Sequence, residues 1–201
     1  MKALIKKCVY FTSVVIVLPV LLSYFVLRVI FGQSQAIEST SQFLCTVPGL
    51  TGVYLRAAYY SVVFEKCARN IHVGYGTLFS QSACLIEDNV YIGPRCQLGM
   101  VHLGRDVLLA AGVHIPSGGQ THFFADPSVP IREQGGERKL VRIGAGAWIG
   151  SAAIILADVG DGTVVGAGSV VTKPLPANVV AVGVPARVVR RRFPNEANPS
   201  E

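Results

Sequence analysis

Charge is scarce in this chain. Only 15% of its 201 residues are Asp, Glu, Lys or Arg, against 51% that are apolar, a balance that excludes intrinsic disorder over most of the length. Cysteine offers no framework either. Cys8, Cys45, Cys67, Cys84 and Cys96 form an odd set with no C-x-x-C pair, so neither a disulfide-stapled fold nor a zinc ribbon is legible in them. A reducing compartment is the simpler setting, with all five expected as buried small apolar residues. Histidine occurs only four times, which limits the candidate imidazole bases to His72, His102, His114 and His122. Acidic residues number 12 against 18 Lys and Arg, and the resulting +6 suits an anionic ligand or an acidic lipid surface. Nucleic acid is a poorer use of that charge, because the basic residues gather at the two chain ends and the C-terminal run carries no interleaved aromatics.

What is present begins with the uncharged run CVYFTSVVIVLPVLLSYFVL, Cys8 to Leu27, between Lys2, Lys6 and Lys7 on one side and Arg28 on the other. About 20 apolar residues cross a bilayer, so residues 1–32 read as a hydrophobic membrane-associated segment. A cleaved secretory signal is the competing reading, with Ser34-Gln35-Ala36 as a loose cleavage site, although the apolar run exceeds the 7 to 15 residues of an ordinary h-region. The three lysines outnumber Arg28 and keep the N-terminus in the cytoplasm. Pro19 is expected to break the helix near its middle, so that the segment re-enters or lies in one leaflet.

Residues 33–70 change character. Phe43, Leu44, Val47, Leu50, Val53, Tyr54 and Leu55 start a series with recurrent spacings of three and four, which predicts an amphipathic helical linker or cap. Arg56, Lys66 and Arg69 near Tyr54, Tyr59 and Tyr60 would suit an anionic membrane surface. A cap packed over the exposed edge of the next domain fits the same pattern.

From Ile71 an internal repeat takes over. An aliphatic residue is followed by a small one, and four positions after the first comes a second small or β-branched residue. Val73-Gly74 with Thr77, Ile92-Gly93 with Cys96, Leu103-Gly104 with Val107, Ile143-Gly144 with Ala147, Ile149-Gly150 with Ala153 and Val165-Gly166 with Ser169 all obey it. A period of six matches neither a helix nor a simple strand alternation. It fits short strands separated by tight corners. Three slips break the count: Phe79 to Ile86 is one residue long, Leu98 to Leu103 one short and Ile155 to Val159 two short.

This pattern resembles the hexapeptide-repeat acyltransferases of the sugar O-acetyltransferase type. The resemblance spans residues 71–192 and implies a mainly β fold, a left-handed parallel β-helix preceded by the hydrophobic helix and the amphipathic segment. Its most specific strings are VGAGSVVTK, Val165 to Lys173, and AVGVPARVVRRR, Ala181 to Arg192. Between them and the first coils, residues 117–140 read SGGQTHFFADPSVPIREQGGERKL, a projecting loop by its Gly, Pro and charge content. Residues 193–201 are expected to be a flexible tail.

In the related enzymes a catalytic histidine sits where such a loop leaves the prism, and that position here is His122. A neutral imidazole is suited to take the proton of a hydroxyl as it attacks a thioester. His114, eight residues earlier, is the rival; His72 and His102 are expected at corners or on the surface. Asp126 and Glu133 on the same loop could orient the His122 ring. The resemblance supplies acetyl-coenzyme A as donor and no metal. Gly146, Trp148, Gly150, Ser151, Gly166, Ala167 and Gly168 would form a side-chain-poor wall for its pantetheine arm, with Lys173, Arg187 and Arg190 for its phosphates. The zinc-binding carbonic anhydrases of this fold carry two histidines five residues apart, a spacing absent here. The resemblance further implies a homotrimer with the site in a cleft between prisms. Together these readings predict acetyl transfer to a hydroxyl of a sugar or surface-polysaccharide precursor at the inner membrane, with the catalytic domain facing the cytoplasm. Serine or another small metabolite as acceptor, or a non-catalytic β-helix scaffold, are the alternatives.

Overall fold

The computed structural model of the chain describes residues 2–193, with side chains from residue 8 onward; from residue 194 the expected tail lies outside the described residues. Three helices lead: α1 (Lys2–Phe31), α2 (Gln33–Cys45) and α3 (Gly49–Val63). Ser13, Val17, Leu21 and Tyr24, spaced four, four and three apart, form the buried stripe of α1, the spacing that keeps side chains on one helix face. That stripe packs on α2 and α3, where Tyr24 meets the Tyr59 ring edge-on at 6.3 Å and Tyr10 shares a 2.7 Å hydroxyl hydrogen bond with Ser61. The break expected at Pro19 does not occur, and α1 runs through it. Val17 and Leu21 are buried in the same core on either side, and this shared packing holds both halves of the helix against the same neighbours.

The remainder winds as a parallel β-solenoid of about six turns, in the family's architecture of a left-handed parallel β-helix. The first coil contains β1 (Lys66–Cys67), β2 (His72–Val73) and β3 (Leu78–Phe79), so strand structure starts inside the stretch read as a helical linker. The second holds β4 (Leu85–Ile86), β5 (Tyr91–Ile92) and β6 (Gln97–Leu98), and the third β7 (Val101–Leu103), β8 (Leu108–Leu109) and β9 (His114–Ile115). After the loop come β10 (Val141–Ile143), β11 (Trp148–Ile149) and β12 (Ile154–Ile155), then β13 (Val164–Val165) and β14 (Val170–Val171), then β15 (Val179–Gly183). A final strand, β16 (Ala186–Arg191), folds back antiparallel on β15.

Each third strand stacks on its copy, which makes three faces: β1-β4-β7-β10, β2-β5-β8-β11-β13-β15 and β3-β6-β9-β12-β14. The inward residue of every strand continues one ladder. On the second face Val73, Ile92, Leu109, Ile149, Val165 and Ala181 stand in register, all at most 1% exposed. Burying each large aliphatic side chain contributes roughly 1.5 to 3 kcal/mol. The slip at Ile155 to Val159 leaves this stacking intact, because Val159 bridges Ile143 above and Leu175 below. At the corners glycine admits the next coil: a Cβ on Gly150 would stand 2.5 Å from the Ala167 nitrogen.

The helices close the open end of the solenoid, whose first strands would otherwise present unpaired backbone groups. Ser41 Oγ accepts the Phe79 N–H at 2.9 Å, and the Cys45 carbonyl accepts Gly76 N–H at 3.0 Å. Arg56, fully buried, donates from Nε to Val73 O (2.9 Å) and from Nη1 to Leu44 O (3.0 Å) and Val47 O (2.8 Å). It thereby satisfies carbonyls that the end of α2 leaves without helical partners. Burial holds its pKa below the ordinary arginine value. The cysteine expectation needs correction. Cys84 and Cys96 are buried, but Cys45 and Cys67 are only half-buried and Cys8 is exposed. Burial pushes the Cys67 and Cys84 thiols up to about 12, which makes both poor nucleophiles.

Candidate active site

Between β9 and β10 the chain leaves the corner joining the third face to the first and returns after 24 residues. The coils on either side stay in register beneath it, with Val101 opposite Val141 and His114 opposite Ile154. The arms of the loop are paired: Lys139 N–H donates to Ser117 O (2.8 Å), Glu137 N–H to Gln120 O (2.7 Å) and Phe123 N–H to Gly135 O (3.0 Å). One turn of 3-10 helix, Ile131–Glu133, closes its tip. His122 lies in the outgoing arm with its side chain exposed. Opposite it stands Gly136, where a Cβ would come 2.0 Å from the Thr121 carbonyl and 2.9 Å from the His122 nitrogen. Only glycine fits there. The sequence signal was the Gly135-Gly136 pair, which reads as generic loop composition until its partner is known.

Neither carboxylate proposed to orient His122 does so. Asp126 accepts from the Ser128 N–H (2.8 Å) and hydroxyl (2.6 Å), contacts that hold its carboxyl below the usual range. Glu133 pairs with Arg132 at 3.3 Å. The other histidines sit in strands on three different faces, His72 and His102 half-buried at the surface rather than at corners and His114 exposed. His72 on β2 stacks on Tyr91 at 4.4 Å, and burial lowers its pKa. His102 on β7 is held between Glu87 Oε1 at 2.9 Å and Arg142 Nη1 at 3.0 Å. Because arginine can only donate, Nδ1 of His102 accepts and Nε2–H points at Glu87. His114 on β9 faces outward and is exposed.

His114 lines a groove of about 330 Å³ between the third face and α2, with Glu38, Gln42, Gln97 and Pro116. A second hollow of about 320 Å³ adjoins it and shares Glu38, Ser80 and Pro116, continuing to Thr121 and Arg138 at the root of the loop. The two adjoin as one groove, partly apolar at Leu78, Phe79 and Leu98 and polar toward the loop, which leads from His114 to Thr121, the residue beside His122. Sequence reasoning missed Glu38, Gln42, Gln97 and Arg138, since α2 and the third face come together only in the fold.

The residues expected to hold the donor are divided among several places. Gly150 and Ser151 stack on Gly166, Ala167 and Gly168 at the corner between second and third faces, where Gly168 N–H donates to Ser151 O at 2.8 Å. Trp148, 51% exposed, projects from the second face next to this corner. Gly146 lies at the opposite edge of that face, on the turn before β11. Lys173 follows β14 and shares the corner of the 117–140 loop, two coils further on. Arg190 and Arg187 are exposed on β16, opposite Val180 and Val182. Arg192 is a structural residue, since its Nη1 donates to Gly162 O at 2.9 Å. Among the described residues no three or more His, Cys, Asp or Glu side chains group as a metal site.

The family described as the hexapeptide repeat of succinyl-transferase matches residues 85–116 and 140–173, on either side of the loop. The chain is 34% identical over 132 residues to the galactoside O-acetyltransferase of Escherichia coli strain K12, covering 64% of this chain and 57% of that one. An Escherichia coli K12 protein whose name provisionally places it in lipopolysaccharide biosynthesis as an O-acetyl transferase is 32% identical over 125 residues, 59% of this chain and 62% of its own. The chain thus spans about three-fifths of the length of these relatives. Among solved structures, a maltose O-acetyltransferase from Clostridium difficile 630 superposes with a TM-score of 0.67 at 25% identity, covering 80% of this chain and 88% of that one. A galactoside acetyltransferase in complex with coenzyme A gives a TM-score of 0.59 at 26% identity, covering 80% and 82%. By its repeat, its coil and these relatives, the chain belongs to the hexapeptide-repeat acyltransferase family.

Proposed function

We propose that the chain is an O-acetyltransferase that moves an acetyl group from acetyl-coenzyme A to a hydroxyl of a sugar or of a surface-polysaccharide precursor. The observation that carries this reading is the paired loop whose outgoing arm sets Thr121, next to His122, at the end of the groove that His114 lines. His122 takes the proton of the acceptor hydroxyl as its oxygen attacks the thioester carbonyl. The carbon–sulfur bond then breaks, and the coenzyme A sulfur leaves and recovers the proton through the imidazolium. Glu38, Gln42, Gln97 and Arg138 provide the donors and acceptors that a sugar's several hydroxyls require.

The donor fits the residues available. The Gly150-Ser151 and Gly166 to Gly168 corner offers exposed backbone with little side chain, as a thin pantetheine arm needs, and Arg187 and Arg190 supply charge-assisted bonds to phosphate. Coenzyme A-bound neighbours of the same architecture support this. The active assembly is a homotrimer with Trp148 and its wall facing the cleft between prisms.

The enzyme works at the cytoplasmic face of the inner membrane. Cys8–Phe31 is apolar enough for a membrane helix, yet its midpoint stripe is packed on α2 and α3. A spanning α1 would carry exposed Glu38 and Gln42 into hydrocarbon, at several kcal/mol for each unsatisfied group. An in-plane helix presenting Val15, Leu18, Leu22, Phe25 and Val29 to one leaflet avoids this cost, and keeps the site beside its coenzyme A. The test is an acceptor screen of the purified protein with acetyl-coenzyme A, read as free-thiol release. Release that depends on glycan acceptors supports the reading; release with serine alone or with no acceptor overturns the sugar assignment.

A further inference from the structure

A cavity of about 640 Å³ lies far from the catalytic loop. It is enclosed by Tyr10 and Phe11 of α1, Leu50, Val53 and Tyr54 of α3, and the turn from Arg69 to His72 between the first and second faces. Its size is that of an ordinary small-ligand site. Two features give it direction. Its apolar wall is continuous with the exposed face of α1, because Phe11 of α1, 60% exposed, belongs to both, and Leu50 of α3, 73% exposed, extends that wall. Its rim is polar and cationic: the Arg69 guanidinium lies 5.3 Å over the Tyr10 ring, and among the described residues no carboxylate pairs with it. The nearby acids are engaged elsewhere, since Asp106 accepts from Asn89 (2.6 Å) and Asp88 lies 2.8 Å from the Asn70 amide.

We propose that this cavity is a binding site for one anionic phospholipid, which inserts an acyl chain between α1 and α3 and sets its phosphate against Arg69. The inference rests on the in-plane placement of α1 and adds to it a stoichiometric, headgroup-selective site. Charge complementarity selects the occupant: a neutral apolar ligand would leave Arg69 without a counter-ion, and a free phosphate would leave the Phe11 and Leu50 wall wet. Arg69 stacked on Tyr10 is preset for a phosphate, because arginine presents a rigid planar fork of donors to its oxygens.

The full chain, in mild detergent with equimolar palmitoyl-oleoyl phosphatidylglycerol and phosphatidylcholine, is read by native mass spectrometry. One phosphatidylglycerol per chain is expected, in at least tenfold preference over phosphatidylcholine. Arg69→Ala should abolish the preference and Arg69→Lys restore part of it, while Val53→Trp, which fills the cavity, should remove both lipids. Equal retention of the two lipids, or a preference that survives Arg69→Ala, overturns the site. Flotation on pure phosphatidylcholine vesicles reports the anchor separately. Loss of flotation discards the in-plane reading, whereas flotation without selective retention discards the lipid site alone. Acetyl transfer to a soluble acceptor should be unchanged in Arg69→Ala.

Discussion

The coils and the loop that interrupts them are built on opposite terms. In the coils each inward residue is buried and repeats its neighbour one turn away, so that Leu109, Ile149 and Val165 are versions of one position. In the loop most side chains are exposed, and its shape rests on backbone pairs between its arms, on local hydrogen bonds of Asp126 and Gln134 and on one glycine contact. The coils close beneath the loop as if it were absent. Stability and chemistry are therefore separable here, which functional loops on rigid scaffolds commonly exploit. The contrast predicts which changes should alter melting and which should alter turnover.

The largest effect should come from the loop. His122→Ala is expected to lower turnover by about two to four orders of magnitude, the usual loss of a general base, with a melting temperature close to that of the parent. A matched fall in melting temperature would erase the distinction. Next comes the coil. Ile149→Ala, in mid-ladder, should cost about 2 to 5 kcal/mol by chemical denaturation, and the surviving folded fraction should keep near-normal turnover per site.

Gly136→Ala sharpens the comparison from the loop side. Its Cβ meets the Thr121 carbonyl, so the arm bearing His122 must shift, and a displacement near 1 Å can cost about a hundredfold in rate. Turnover should fall while the denaturation midpoint holds. The double variant Arg187→Ala with Arg190→Ala, which spares structural Arg192, should raise KM for acetyl-coenzyme A several-fold with little change in kcat, the signature of lost uniform binding. An unchanged KM would return both arginines to a solvated or membrane-facing role.

The smallest effect concerns acid. The hydrogen bond from His102, then the Arg105 N–H, keep the Glu87 carboxyl below the ordinary glutamate range. A carboxyl depressed in the folded state stabilises above its unfolded pKa, about 4.3, and loses that contribution as pH falls through its lower folded value. The stability gap between the parent and Glu87→Gln should thus be present at neutral pH and close on acidification below about 4. Glu87 is partly exposed, so the gap should be modest. Urea midpoints across pH measure it.

The coil was legible because its physics repeats. Val73, Ile92, Leu103, Ile143, Ile149 and Val165 could be read as inward from spacing because burial recurs at that period, and even the short step to Val159 changes length without changing direction. The family resemblance contributed the hand. Other features could not be read this way. Arg56 looked like membrane-surface charge, since its partners are backbone carbonyls that no side-chain pattern announces. Pro19 looked like a break, because the packing that holds α1 together comes from helices elsewhere in the chain. His122 was singled out through its place in an interruption, while Glu38 and Gln97, which flank the groove at His114, carry no local signal.

The most direct test of the account is chemical rescue. In His122→Gly the imidazole is removed and its space left open, and free imidazole added with acetyl-coenzyme A and acceptor should restore part of the lost thiol release, rising with imidazole concentration. His114→Gly should retain most of its turnover and show no such response. If His122→Gly stays active, or if imidazole rescues His114→Gly instead, the base is not His122 and the loop is not the catalytic element.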